Sequence, residues 1–406
     1  VQTCALPISF GLVRGGIDDP VDTKLLFTVH SGRISLPGVR YRPTRLEGKL
    51  YCDTRYVQLK NFVVGDDLSQ ITLNGTLDRG TGVGRLEVAI RNLPFDERLH
   101  GSLPADWQRM LDTWRPGGQF DLTTTLLTSE AGRWVPTDSV LVPRGSTANH
   151  VRFPYPLEQV RGTMTQLGSS RDLRVELTAV ASGRPVSFSG LVTNAGPAAA
   201  SQLDLRVTQL PIDNTLLAAC QPSLQRTLKA FSLRGYADIS ARFVRPRGEN
   251  QPLRTSLAVR LNPAGIDYEH FRYPLDNLSG HITGVLTPGR DTWAFESLTA
   301  RHGPARLTGH GSYVRQGTDK QLSLDITVHD VPLSADLKSA CSPALKRLWD
   351  RYSPTGRLAA EIRIRRSGDA RVQVSLPWFE LTEGSLLPAG FPYRLDAVES
   401  RGRYHV

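Results

Sequence analysis

The chain has 406 residues, 39% hydrophobic content, 22% charged residues and a formal net charge of +10. Its Arg residues alternate with Asp and Glu rather than forming a dense basic run, so nucleic acid is not an expected partner; a solvated strand face accounts for the charge, with attraction to anionic lipid surfaces as the next option. No apolar run reaches the roughly 18 residues of a membrane-spanning helix.

The first residues, Val1-Gln-Thr-Cys-Ala-Leu-Pro-Ile8, read like the translation of a sequencing adaptor. Residues 9–38 read as the end of a repeat, with strands at Leu25–Val29 and Arg33–Leu36. A first full repeat, 39–150, carries alternating segments at Leu46–Cys52, Tyr56–Val64, Gln70–Leu77 and Arg85–Leu93, separated by Gly65-Asp-Asp67 and Asp78–Gly82. Such spacing predicts an antiparallel meander. Leu103, Trp107, Leu111 and Trp114 then fall at helical spacing, with Pro104 suited to a first turn and Pro116-Gly117-Gly118 as the stop. Strands resume at Gln119–Leu127 and near Ser139–Val142.

The second repeat, 151–268, has strands at Arg161–Gln166, Leu173–Val180, Pro185–Val192 and Gln202–Leu210. Pro222 sits in the middle of its helical segment, which predicts a helix-turn-helix or two short pieces rather than one straight helix. The third, 269–388, has strands at Thr292–Ala300, Arg306–Tyr313 and Gln321–His329, and a helical segment at Ala335–Tyr352. Residues 389–406 open a further repeat.

Independent landmarks set this period. Pro94, Pro211 and Pro332 each follow an apolar residue at the end of a strand, and Gly118, Gly235 and Gly356 each precede the strand after the helical segment. Gly75, Gly190 and Gly311 each interrupt an alternating strand. Opening each repeat are Tyr41–Gly48, Phe153–Gly162, Phe271–Gly280 and Phe391–Val398. Four landmarks in one order define a repeat of about 118 residues.

Nearly all of these strands carry one apolar and one polar face, because successive side chains point to opposite sides. One short helical segment per repeat is too little to cover the apolar side. The expected fold is therefore mostly β: an elongated, curled antiparallel sheet whose concave side is an apolar groove. Such a groove needs an apolar guest, and acyl chains fit it. The expected lining is Leu73, Leu86, Val88, Ile90, Phe120 and Leu122 in the first repeat. Val186, Phe188, Leu203, Leu205, Val207, Ile239 and Phe243 follow in the second, and Leu322, Leu324, Ile326, Leu358 and Ile362 in the third. The alternative is a structural β-repeat protein, an adhesin or envelope scaffold, in which these residues form a closed core.

The opening motif Phe271-Arg-Tyr-Pro-Leu-Asp-Asn-Leu-Ser-Gly280, with the segment from Leu345 to Gly356, resembles the AsmA-like proteins of bacterial envelopes. These are similar to the wider class of bridge-like lipid transfer proteins. The resemblance covers essentially the whole chain after its first residues. It implies repeating β-groove modules and phospholipid passage between inner and outer membranes. It also implies a periplasmic location, an inner-membrane anchor lying outside this chain, and end partners it does not identify. It transfers no catalytic residue and no cofactor.

The nine histidines are dispersed, with no His-x-x-x-His and no Cys-x-x-Cys. Cys220 and Cys341 occupy one repeat position a whole repeat apart, so a bridge between them is implausible; Cys52, Cys220 and Cys341 read as small core residues. No phosphate-binding loop or nucleophile elbow occurs, and Gly80-Thr-Gly82-Val-Gly84 reads as a hairpin turn. A polysaccharide-cleaving enzyme would need paired carboxylates at equivalent positions, and none can be placed.

Overall fold

The computed structural model describes residues 8–13, 22–30 and 45–405, except 67, 104, 167, 369 and 392. The adaptor-like residues 1–7, the expected strand at 33–36, positions 41–44 of the first opening landmark and the helix-start proline at 104 lie outside the described residues.

The chain is mostly β, and its strands separate into two compact units. The first comprises the described residues of Val1–Ala181 with Ser187–Leu203 and Arg247–Gln251. Its elements begin with β1 (Ile8–Val13), β2 (Asp22–Val29), β3 (Arg45–Cys52), β4 (Tyr56–Gly65), β5 (Gln70–Asp78) and β6 (Gly84–Pro94). Helices α1 (Glu97–His100) and α2 (Ala105–Trp114) follow, then β7 (Gln119–Thr128), β8 (Trp134–Pro143), β9 (Ser146–His150), β10 (Phe153–Gln166) and β11 (Leu173–Ala181). Strands β1 to β8 pair in chain order, all antiparallel; β8 and β9 both pair with β10, which pairs with β11.

Strands β12 (Arg184–Thr193) and β13 (Ala200–Pro211) are divided between the two units. The second unit continues with α3 (Asn214–Ala219), α4 (Pro222–Ala230), β14 (Arg234–Arg245), β15 (Arg254–Tyr268), β16 (Phe271–Thr287), β17 (Arg290–His302), β18 (Ala305–Gln316) and β19 (Asp319–Pro332). It ends with α5 (Ala335–Ala340), α6 (Pro343–Tyr352), β20 (Thr355–Ser367), β21 (Gln373–Leu386) and β22 (Leu395–His405). From β14 to β22 every strand pairs antiparallel with the next.

The expected helical segments are pairs of short helices. In two of them a proline starts the second helix, Pro222 in α4 and Pro343 in α6, where a missing N–H costs nothing. Cys220 and Cys341 close the preceding helices, their N–H groups donating to equivalent carbonyls. The first pair includes α1, which the sequence reading did not separate; Asp96 caps it by accepting from the Leu99 N–H, as Asp213 caps α3 through Leu216.

The glycine landmarks have a structural cause. The N–H groups of Phe95, Ile212 and Leu333 donate to the carbonyls of Gly118, Gly235 and Gly356 at 3.0, 2.9 and 2.9 Å, so the entry and exit of each helix pair are tied identically. These glycines have φ of 87°, 117° and 124°. Side-chain residues rarely adopt such values. The strand glycines work by close approach: a Cβ on Gly75, Gly190 or Gly311 would lie 2.4, 2.1 or 2.2 Å from a carbonyl oxygen of the next strand.

Candidate functional site

Within each unit, strand register gathers expected lining residues onto one face. In the first unit Leu73 lies opposite Val88, Gly75 opposite Leu86, and Ile71 opposite Ile90. Ile90 in turn faces Leu122, and Leu93 faces Phe120. The row through Ile90 continues from Leu122 to Leu141, Met164 and Val175. In the second unit one row runs Ile239, Val259, Ile282, Phe295, Gly311, Leu324 and Ile364 across seven strands. Parallel to it, Ile326 lies opposite Ile362 and Val331 opposite Leu358. Phe243 begins a row that ends in the polar group Asp291, Arg315 and Lys320, so the apolar face has a charged end. Val186 and Phe188 alternate inward along β12, as do Leu203, Leu205 and Val207 along β13. The edge of the Trp114 ring meets Phe188 at 5.8 Å.

The opposite face is polar and paired. Asp325 accepts from Arg365 at 2.7 Å, Arg242 donates to Asp204 at 2.7 Å, and Arg401 to Glu380 at 2.7 Å. These pairs are partly exposed and contribute little stability each. They solvate the face.

The apolar face is not sealed along its length. Of the 18 lining residues only Phe120 (4% exposed), Val186 (5%) and Val207 (5%) are buried; the others are half-buried. Within each unit, extensive contacts between strands are those of hydrogen-bonded neighbours, and among the described residues no second sheet packs across. Part of the lining does join a closed core. Ile326, Leu358 and Ile362 pack against buried Tyr273, Ala305, Val328, Val331, Ala340 and Ala360, and Ile239 packs against Ala237, Leu261, Ala264, Leu278 and Ala300.

A bulge lies beside the sealed part of each strand. Asn92, Gln209 and Asp330 stand at equivalent repeat positions with φ of 52°, 54° and 54°. The register shifts there in β6 and β19. One extra residue returns Leu93, Leu210 and Val331 to the apolar side three positions after Ile90, Val207 and Val328. These three are 7%, 5% and 5% exposed, beside the helix pairs, while Leu86, Leu203 and Leu324, well before the bulges, are half-buried.

Aspartates hold two of the bulges. The Asn92 N–H donates to Asp121 Oδ1 and the Gln209 N–H to Asp238 Oδ1, both at 2.8 Å. Burial by itself would raise the Asp121 pKa, but the Arg144 guanidinium and the Asn92 N–H outweigh it and hold the carboxyl below its usual range. Asp238 is likewise lowered, first by the Gln209 N–H and then by the Asn262 amide. Ala359 occupies the third equivalent position, and that bulge lacks the side-chain acceptor.

Sequence reasoning missed several residues of the same face, among them Phe62, Ile71, Met164, Trp293, Phe295 and Ile364. Trp293 lies over Gly284: a Cβ there would be 2.7 Å from the indole ring. Their signal was available in strand register, which the glycine landmarks fix. Among the described residues no group of three His, Cys, Asp or Glu side chains could hold a metal ion, and no helix is long and apolar enough to cross a membrane. Comparison with protein-family models, curated proteins and solved structures finds no match to the chain.

Proposed function

We propose that this chain carries phospholipid or other acyl lipids along its apolar sheet face, as a segment of an AsmA-like envelope protein working between inner and outer membranes. The observation that carries the proposal is the half-buried state of Leu86, Val88, Leu203, Leu205, Leu322 and Leu324 on faces that no second sheet covers within either unit. Each methylene moved from water onto such a surface contributes about 0.8 kcal/mol. Backbone hydrogen bonds are used up within the ladders, so a lipid chain meets only side chains. Successive rows differ little in chemistry, which suits movement between neighbouring positions better than tight retention at one. A periplasmic location and attachment to the inner membrane through a segment outside this chain belong to the same proposal, and rest on the resemblance of the opening motifs.

The packed clusters around Tyr273 and Ala237 favour a second reading, a structural repeat protein with a filled core. Native mass spectrometry of the chain purified without detergent separates the two. Copurified phospholipid is the expected result. A folded, lipid-free protein that takes up no added lipid would overturn the transport reading.

A further inference from the structure

The helix pairs of the second unit leave an apolar stripe uncovered. In α6, Leu345, Leu348 and Tyr352 recur at the spacing of one helix face and are 52%, 53% and 39% exposed, and no residue of α4 or α6 is buried. Leu224 holds the position of Leu345 in α4 and is exposed as well. Backbone hydrogen bonds extend the stripe past the helices. The Glu269 N–H donates to the Ala230 carbonyl at 2.9 Å, and the Ala389 N–H to the Arg351 carbonyl at 2.8 Å. Each bond holds a turn with an exposed phenylalanine, Phe271 or Phe391, at the end of its helix pair. Strands β14 and β20 leave the two pairs in the same direction, six antiparallel steps apart. Both pairs therefore lie at one end of the strands, separated by roughly 30 Å.

The charge beside the stripe is one-sided. Helices α4 and α6 carry Arg226, Lys229, Lys346, Arg347 and Arg351, none of them ion-paired with a described residue. Their one carboxylate, Asp350, pairs with Lys338 of α5. Neighbouring carboxylates are matched too: Asp336 lies 3.7 Å from His302, Asp267 3.7 Å from Arg272, and Glu269 3.4 Å from His270. In α2 of the first unit the equivalent arginine, Arg109, pairs with Asp106, so the excess belongs to the second unit. A second copy of this rim would bring cation against cation, whereas an anionic surface complements it. Two separated patches at one strand end suit an extended partner better than a single pocket would. Leucine and aromatic side chains set among arginine and lysine are the composition of a helix that lies in a lipid interface.

We propose that the α4 and α6 rim of the second unit docks on the surface of an anionic phospholipid bilayer. Leu345, Leu348 and Tyr352 enter the interface, and Arg347 and Arg351 meet the headgroup phosphates. The contact is peripheral, and it uses side chains outside the expected lining of the apolar sheet face.

Cosedimentation of the full chain with vesicles of phosphatidylcholine, alone or mixed with phosphatidylglycerol, tests it. Two variants accompany the parent, Leu345→Gln with Leu348→Gln, and Arg347→Gln with Arg351→Gln. All four side chains are exposed, so circular dichroism and the melting temperature should not change, and either variant alone decides. The expected result is saturable binding to the anionic vesicles, weakened by salt, absent on the neutral ones, and about tenfold or more weaker in each variant. No binding to the anionic vesicles, equal binding to the neutral ones, or full binding by a variant overturns the proposal. Self-association of the parent without vesicles, lost in the leucine variant, overturns it in favour of a second copy. Copurified lipid reports the sheet face and should be equal in parent and variants, so failure here leaves the transport reading untouched.

Discussion

Two substitutions on one strand should have opposite consequences. Leu324 and Val328 both point to the apolar face of β19, four residues apart. Val328 is 5% exposed and packs with Tyr273, Ala305, Val331, Ala340 and Ala360. Val328→Asp loses about 2 kcal/mol of side-chain burial and leaves a carboxylate without a partner, a further cost of about 3–5 kcal/mol. A loss of about 5 kcal/mol or more approaches the whole stability of an ordinary domain. Leu324 is half-buried and lies over Gly311, where a Cβ would be 2.6 Å from its Cδ2. Leu324→Asp loses only part of a leucine's burial, about 1 kcal/mol, and its carboxylate keeps water. Urea unfolding should therefore show a folded Leu324→Asp protein and a largely unfolded Val328→Asp protein. Binding of a fluorescent fatty acid should be lost in the former. If Leu324→Asp unfolds the chain as completely as Val328→Asp, the face is closed at both places and no lipid surface exists. If it folds and binds the probe like the parent, the lining is wrongly placed.

The bulge aspartates predict an acid-sensitive contribution. Asp121→Ala and Asp238→Ala should each cost about 1 kcal/mol at neutral pH, the value of one partly exposed hydrogen bond to a carboxylate. Both folded pKa values lie below the ordinary 3.8, so this stabilisation is full above that value and is lost as pH falls through the folded one. The gap between the urea midpoints of parent and variants should thus narrow as pH falls below the ordinary carboxyl range; a gap of unchanged size in acid would show that the carboxylates are not responsible. Gly284→Ala should displace the Trp293 indole, with a shifted fluorescence maximum and a loss of about 1–3 kcal/mol from overpacking. An unchanged spectrum and melting temperature would mean that the indole does not rest on the glycine.

Strand positions and their apolar sides were legible because period two is a local property. Leu73, Val88, Ile239 and Leu324 could be assigned an inward face from their neighbours alone, and register then aligned the faces. The stretch from Ile90 to Leu93, by contrast, read as the continuous end of the strand Arg85–Leu93. It is a bulge, recognisable only once Asn92 is seen at positive φ with its N–H on Asp121, 29 positions onward. The helix pairs misled in another way. Trp107, Leu224 and Leu345 occupy apolar positions at helical spacing, yet they are 42%, 41% and 52% exposed. Amphipathic spacing states which face a helix would bury, not whether a neighbour is there to bury it. The polar row of Ser312, Ser323, Arg365 and Gln373 was invisible, because these residues come from four strands and meet only through register.

The bulges also explain how a sheet can hold an unroofed apolar surface and remain folded. A face half-exposed along its full length would gain too little burial to offset the entropy of ordering the chain. In this protein each of three strands passes from an open stretch to a sealed one: Leu86 to Leu93, Leu203 to Leu210, Leu324 to Val331. The sealed stretches pack beside short helices around small residues, including Ala305 and Ala360 at 0% exposure, where a close fit is possible without large side chains. Stability is thereby concentrated at one end of the strands. The other end is released from core packing, and its leucines and valines can vary in size with little effect on folding. A closed core would lack that freedom: there, Leu86→Ala and Leu322→Ala would each cost the full 2–5 kcal/mol of a buried leucine.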